Sequence, residues 1–158
     1  MTEAKRNLAA ALGRIPSGMF ILTARQGADE TGMLASWVQQ CSFDPPLVTV
    51  AIKHGRAVAG WLEATPFILN LLDESQTDMV AHFGRGFEPG EPAFHGLEVE
   101  RSGSRPPILK EALAFIECQV VSRHPAGDHD LFVCQVIAGQ MLNDGKPMVH
   151  VRKSGMHY

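Results

Sequence analysis

The chain has few of the features that would assign a chemistry at once. Its three cysteines, Cys41, Cys118 and Cys134, are far apart, so there is neither a CxxC redox pair nor a zinc ribbon. Seven histidines are scattered without HxxxH or HExxH spacing, which argues against a metal site. GxSxG, GxxxxGK[ST] and GxGxxG are all missing, which leaves the hydrolase, P-loop and Rossmann routes unsupported. Fourteen basic against seventeen acidic side chains give a net charge of −3, with no excess that would suit nucleic acid. No apolar run approaches membrane-spanning length, and MTEAKRNLAAALGRI lacks the order of a signal peptide. An odd cysteine count in such a chain points to a reducing, cytoplasmic setting. There is no internal repeat or low-complexity segment.

What is present reads as one domain. The 158 residues are 45% hydrophobic and 20% charged, ordinary for a globular fold with a sizeable core. Residues 2–13 predict a helix capped by Thr2 and stopped at Gly13, with Leu8, Ala11, Leu12 and Ile15 on its inner face. Met19–Ala24 is a short buried strand, and Gln26–Gly32 reads as a turn. Gly32–Ser42 returns as its antiparallel partner, and Leu47–Ile52 follows as a β-branched strand launched by Pro45-Pro46. Val58, Trp61 and Leu62 fall at helical spacing, and Phe67–Leu72 is again strand-like. Ser75 and Asp78 resemble a capping box for a helix carrying Met79, Val80 and Phe83. Residues 87–107, rich in glycine and proline, predict a long functional or interfacial loop with one short strand at 97–100. Strands follow around Ile116–Val120 and Leu131–Ile137, then a turn at Asp144-Gly145 and a basic, aromatic-ended tail. About six strands with two or three peripheral helices, and no βαβ alternation, predict a mainly β, closed antiparallel barrel.

Three stretches carry candidate chemistry. Gly32–Pro46, GMLASWVQQCSFDPP, is an apolar segment with small residues that let backbone approach closely and an extended, proline-fixed exit. It suits the wall of a flat ligand with hydrogen-bonding edges, or simply a buried strand with a polar turn. Lys53-His54-Gly55-Arg56 sets two cations around a glycine turn between strand and helix, a phosphate cradle or a solvated basic turn. Gly127-Asp128-His129 places an imidazole at a strand start beside a carboxylate. Trp37 and Trp61 read most simply as core.

In sequence order, GMLASWVQQCSFDPP, the strand ending at Lys53, FILNLL, Ala81-His82-Phe83, LAFIECQVV and GDHDLFVCQV resemble the flavin reductase-like, FMN-binding split-barrel family over nearly the whole chain. The resemblance is greatest to the domain that ends cyanobacterial flavodiiron proteins, which shares ASWV, SFDPP, GDH and a terminal RKSGxHY, here Arg152–Tyr158. This sequence contains neither the metallo-β-lactamase-like nor the flavodoxin-like domain of those proteins, so their diiron chemistry is not carried over. The resemblance implies a Greek-key-like split β-barrel, homodimeric, binding FMN, with FAD or riboflavin as further flavin substrates and NADH or NADPH as hydride donor. It implies that Gly32, Met33, Leu34, Ala35, Ser36, Trp37, Ser42, Phe43, Asp44 and Pro45 wrap the flavin. It further implies that Lys53 and Arg56 meet the phosphate, that Asn70 and Phe83 lie beside the flavin, and that His129 faces the ring where nicotinamide stacks. Leu34 and Trp37 depart from the family, where many reductases carry a Thr or Ser and a small residue. The implied activity is NAD(P)H:flavin reduction. The alternative is a non-catalytic FMN-binding electron relay or flavin sensor serving a redox partner protein. A pyridoxamine-phosphate-oxidase-like enzyme would share barrel and FMN but lacks SFDPP and GDH.

Overall fold

A computed structural model describes residues 1–158. Helix α1 (Glu3–Gly13) begins at Thr2, whose hydroxyl accepts from the Lys5 N–H at 3.3 Å. Strands β1 (Ser17–Gly18), β2 (Phe20–Gln26), β3 (Asp29–Ala35), β4 (Val38–Phe43) and β5 (Pro46–Lys53) follow. Then come α2 (Val58–Ala64), β6 (Phe67–Leu71), α3 (Thr77–Gly84), β7 (Val99–Glu100), β8 (Ile108–Leu109), β9 (Ala114–Ala126), β10 (His129–Met141) and β11 (Val149–His150). No helix is long and apolar enough to cross a membrane.

Seven antiparallel strands form the main sheet in the order β3-β2-β6-β9-β10-β5-β4. The two edge strands, β3 and β4, are consecutive in the chain and joined only by Ser36-Trp37. That two-residue link ties the two edges together at one end, and the Ala51 N–H, donating to the Trp37 carbonyl at 3.0 Å, extends the β4–β5 ladder up to it. The result is the split barrel expected. The single strand expected over Gly32–Ser42 is in fact two, pairing on opposite edges. The turn expected over Gln26–Gly32 shrinks to Gly27-Ala28, where Gly27 supplies the positive φ of 62° that a tight hairpin needs. Register shifts at Val133/Cys134 and Val136/Ala138 bend the long β9–β10 hairpin around the barrel.

Inside the barrel, Leu22, Val50, Ile52, Phe67, Leu69, Phe132 and the α2 residues Trp61 and Leu62 make the main core. Cys118 and Cys134 are part of it; burial pushes both thiols up, Cys134 to about 12, so they stay neutral. A second cluster lies on the outer face of the sheet. There α3 sets Met79 and Phe83 against Ile21, and the 87–107 segment adds Ala93 and Phe94. That segment thus packs Ala93 and Phe94 onto the sheet, and Pro107 O accepts from buried Thr23 at 2.6 Å. Ser75 caps nothing: its N–H and hydroxyl go to Asp73, while Gln76 begins α3 and bonds Asp73 N and Glu111 O.

The inner face of α1 also differs from expectation. Leu8 and Ile15 are 53% and 62% exposed, and the buried positions are Ala9 and Gly13. The C-terminal tail explains this, because it crosses α1 backbone to backbone. Arg152 N–H donates to Gly13 O at 3.0 Å and Gly155 N–H to Ala9 O at 2.6 Å. A Cβ on Gly155 would lie 2.1 Å from Leu12 Cβ and 2.9 Å from Gly13 N. Gly155→Ala is therefore expected to lift the tail from α1 and make the bonds after Arg152 cleavable by trypsin under conditions where the wild type resists.

Candidate flavin site

The barrel join, the end of β5, the end of α3 and the tail together enclose a cleft of about 600 Å³. That volume lies within the roughly 300–1,000 Å³ of small-molecule and cofactor sites. Each wall has a local cause. Gly32 lets β3 pass under the Phe83 ring, where a Cβ would come within 2.6 Å of Phe83 Cε1. Met33, Leu34, Ala35 and Ser36 then turn into the cleft, with Val80 and Phe83 of α3 facing them. At the end of β5, Gly55 takes a φ of 86°, which swings Lys53 and Arg56 to the same rim. Behind that turn, His54 N–H donates to Asp128 O at 3.0 Å, and the His54 ring meets Asp130 at 3.2 Å. Arg123 grips Asp130 at 2.7 and 3.1 Å and also pairs with Glu63; chiefly through Arg123, the Asp130 carboxyl lies below its ordinary value.

The charge pattern is one-sided. Lys53, Arg56, Arg85, Arg152 and Lys153 line the cleft, and no Asp or Glu side chain does. None of these five cations forms a salt bridge. An apolar floor with unpaired cations at the rim suits a ligand that joins a flat apolar ring to an anionic group. The residues present therefore fit a flavin phosphate.

Trp37 is half-buried, not core like Trp61, and stands at the centre of the site. Arg152 lies 4.9 Å over its ring, and the His129 and Tyr158 rings are 4.7 and 5.8 Å away. His129 is only 6% exposed and sits behind this layer, outside the cleft wall. Its Nδ1 bonds Asp128 at 2.7 Å and its Nε2 meets the Tyr158 hydroxyl at 2.6 Å. The hydrogen bond from His129 is the main reason the Asp128 carboxyl is held below its ordinary value.

Of the residues that sequence reasoning singled out, Met33, Leu34, Ala35, Ser36, Trp37, Lys53, Arg56 and Phe83 come together at the cleft. Gly32 supports it from beneath. Ser42, Phe43, Asp44 and Pro45 do not join them: they form the tip of the β4–β5 hairpin, where Phe43 is 92% exposed. Asn70 is also elsewhere, fully buried between strands, donating to Ile21 O and accepting from the Leu109 N–H, both at 2.9 Å. Arg85 and the tail wall of Arg152, Lys153, Ser154, His157 and Tyr158 were not singled out as site residues. For the tail residues the sequence signal is the basic, aromatic-ended segment itself; Arg85, just past α3, has none.

With this geometry in view, the comparisons decide the family. The model of the flavin reductase like domain matches residues 12–157. This chain belongs to the flavin reductase-like family. Diflavin flavoprotein A 1 of Synechocystis sp. (strain ATCC 27184 / PCC 6803 / Kazusa) is 39% identical over 96% of the chain, which covers 27% of that relative. The chain thus spans about a quarter of the length of the curated relatives it matches. Among solved flavin reductase-like structures, a homolog of nitrilotriacetate monooxygenase component B from Mycobacterium thermoresistibile superposes with a TM-score of 0.83 at 27% identity, covering 95% of this chain and 84% of that one. The Streptomyces globisporus C-1027 NADH:FAD oxidoreductase SgcE6 follows at 0.81 and 25% identity, covering 90% and 86%.

Proposed function

We propose that this chain binds FMN in the cleft and transfers hydride from NADH or NADPH to flavin, supplying reduced flavin or electrons to an acceptor. The observation that carries this reading is the apolar floor rimmed by unpaired cations, with no Asp or Glu side chain, at the join of a flavin reductase-like barrel. Bound flavin would supply the hydride-accepting chemistry. The chain's own residues position and shield. Lys53 and Arg56 hold the phosphate, Met33–Ser36 and Phe83 exclude water from one face, and Trp37 with the tail limits how a nicotinamide enters. The cradle rests on side-chain charge and not on the start of α2, which is only seven residues long and has no side-chain cap.

A homodimer belongs to the same proposal. A groove of about 520 Å³ shares Ser36, Trp37, Ala51 and Arg152 with the cleft and is bordered by the exposed Ile15. Exposed Leu8, Val151 and Met156 lie on α1 and the tail, a patch that a second copy would cover.

Fusion of the matching domain within longer diflavin flavoproteins favours one second reading, an electron relay that takes its electrons from a partner protein. One experiment separates the two. The protein loaded with FMN is mixed anaerobically with NADH or NADPH, and the visible flavin absorbance is followed. Bleaching, together with steady-state NAD(P)H oxidation when free FMN is added, is the expected result. Retained FMN that neither dinucleotide reduces would leave the relay standing and remove the reductase.

A further inference from the structure

His129 is withdrawn from the cleft, and the group standing in its place is Tyr158. The order of hydrogen bonds decides what that group offers. Asp128 can only accept when ionised, so the 2.7 Å contact is donated by the His129 Nδ1–H. With the imidazole uncharged, Nε2 is then an acceptor, and the 2.6 Å contact is donated by the Tyr158 hydroxyl. The phenol keeps that proton: burial pushes its titration up, opposed by the nearby Arg152 and Arg56 charges. With its hydrogen directed at His129, the Tyr158 oxygen has only lone pairs left for the cleft.

Resting on the flavin-and-nicotinamide reading above, we infer that Tyr158 Oη accepts a hydrogen bond from a carbonyl-flanked N–H of the ligand, the carboxamide of nicotinamide or the imide of flavin, and that His129 and Asp128 set this polarity from behind. The surrounding chemistry makes the acceptor useful. The five cations of the cleft are donors only, and no Asp or Glu side chain stands among them. A ligand N–H beside these cations finds no acceptor on them; the acceptor-bearing side chains of the lining are Tyr158, Ser36, Ser154, His150 and His157. Trp37, 5.8 Å from the Tyr158 ring and 4.7 Å from that of His129, fixes the angle between them. His129 is then a positioning residue, and Tyr158 the residue that touches the ligand.

Two ligand pairs differ in the relevant N–H. NAD⁺ and 3-acetylpyridine adenine dinucleotide, titrated calorimetrically into the FMN-loaded protein, differ in the carboxamide. FMN and N3-methyl-FMN, titrated into the flavin-free chain with fluorescence as readout, differ in the imide. In one pair the wild type should prefer the N–H ligand by on the order of tenfold. Which pair shows the preference identifies the source. Tyr158→Phe and His129→Leu should each reduce that preference to about twofold or less, the first by removing the oxygen and the second by freeing its proton. His129→Gln, whose amide oxygen accepts the hydroxyl, should restore part of it. No preference in either pair, a preference intact in Tyr158→Phe, or equal loss for both members of a pair would overturn the assignment. If the wild type binds neither FMN nor NAD⁺, the flavin-and-nicotinamide reading itself fails, and this inference with it.

Discussion

Replacing Lys53 and Arg56 together by alanine is expected to cost FMN about 2–3 kcal/mol of binding, roughly 30- to 150-fold in Kd. Two charge-assisted hydrogen bonds in a dry site would give more, but both side chains are exposed, and solvent screens them. Riboflavin has the same ring and ribityl chain but no phosphate, so its affinity should change less than about threefold. The contrast between the two flavins is the measurement, read from fluorescence quenching in titrations of the flavin-free protein. Raised salt should weaken FMN in the wild type and scarcely affect it in the double variant. Equal losses for FMN and riboflavin would remove Lys53 and Arg56 from the phosphate site.

Asn70→Leu should do its damage elsewhere. Asn70 is fully buried, and its amide ties β2 through Ile21 O to β8 through the Leu109 N–H. Leucine leaves that N–H and that carbonyl without these partners, an expected loss of about 2–4 kcal/mol. For a chain of this size that lowers Tm by about 5–15 °C. At a temperature where the variant is folded, FMN affinity should match the wild type. Thermal unfolding followed by circular dichroism, with a flavin titration at low temperature, checks both halves. A large loss of flavin affinity at unchanged Tm would return Asn70 to the site.

Lys53, Arg56 and Asn70 show what a sequence does and does not record about position. Lys53 and Arg56 were legible because their cause is local: a β-branched strand stops, Gly55 turns the chain, and both cations reach one rim. The barrel was legible for a similar reason, since apolar runs such as Phe67–Leu71 announce strands whatever they pair with. Asn70 and Asp44 lie away from the cleft, and sequence does not show this because their places depend on partners distant in the chain. Nothing in FILNLL tells that its asparagine will meet Leu109. Likewise nothing in SFDPP tells that its hairpin tip will point away from Trp37. The break at Ser36-Trp37 carried no glycine or proline to mark it, so two edge strands read as one. The tail's place in the wall depends on a crossing of Gly13 by Arg152–Gly155 that no local pattern records.

The join of β3 to β4 also has a consequence in time. Hairpins β2–β3, β4–β5 and β9–β10 are local and can form quickly, on the order of microseconds. The barrel cannot close on them alone, because β9 and β10 must first be inserted between β6 and β5. Such distant pairings are slow to find. The cleft, which needs the two edges, α3 and the tail at once, should thus be the last feature to mature. During refolding, strand signal should return before flavin binding does, and a nascent chain should bind no flavin until its final residues have emerged.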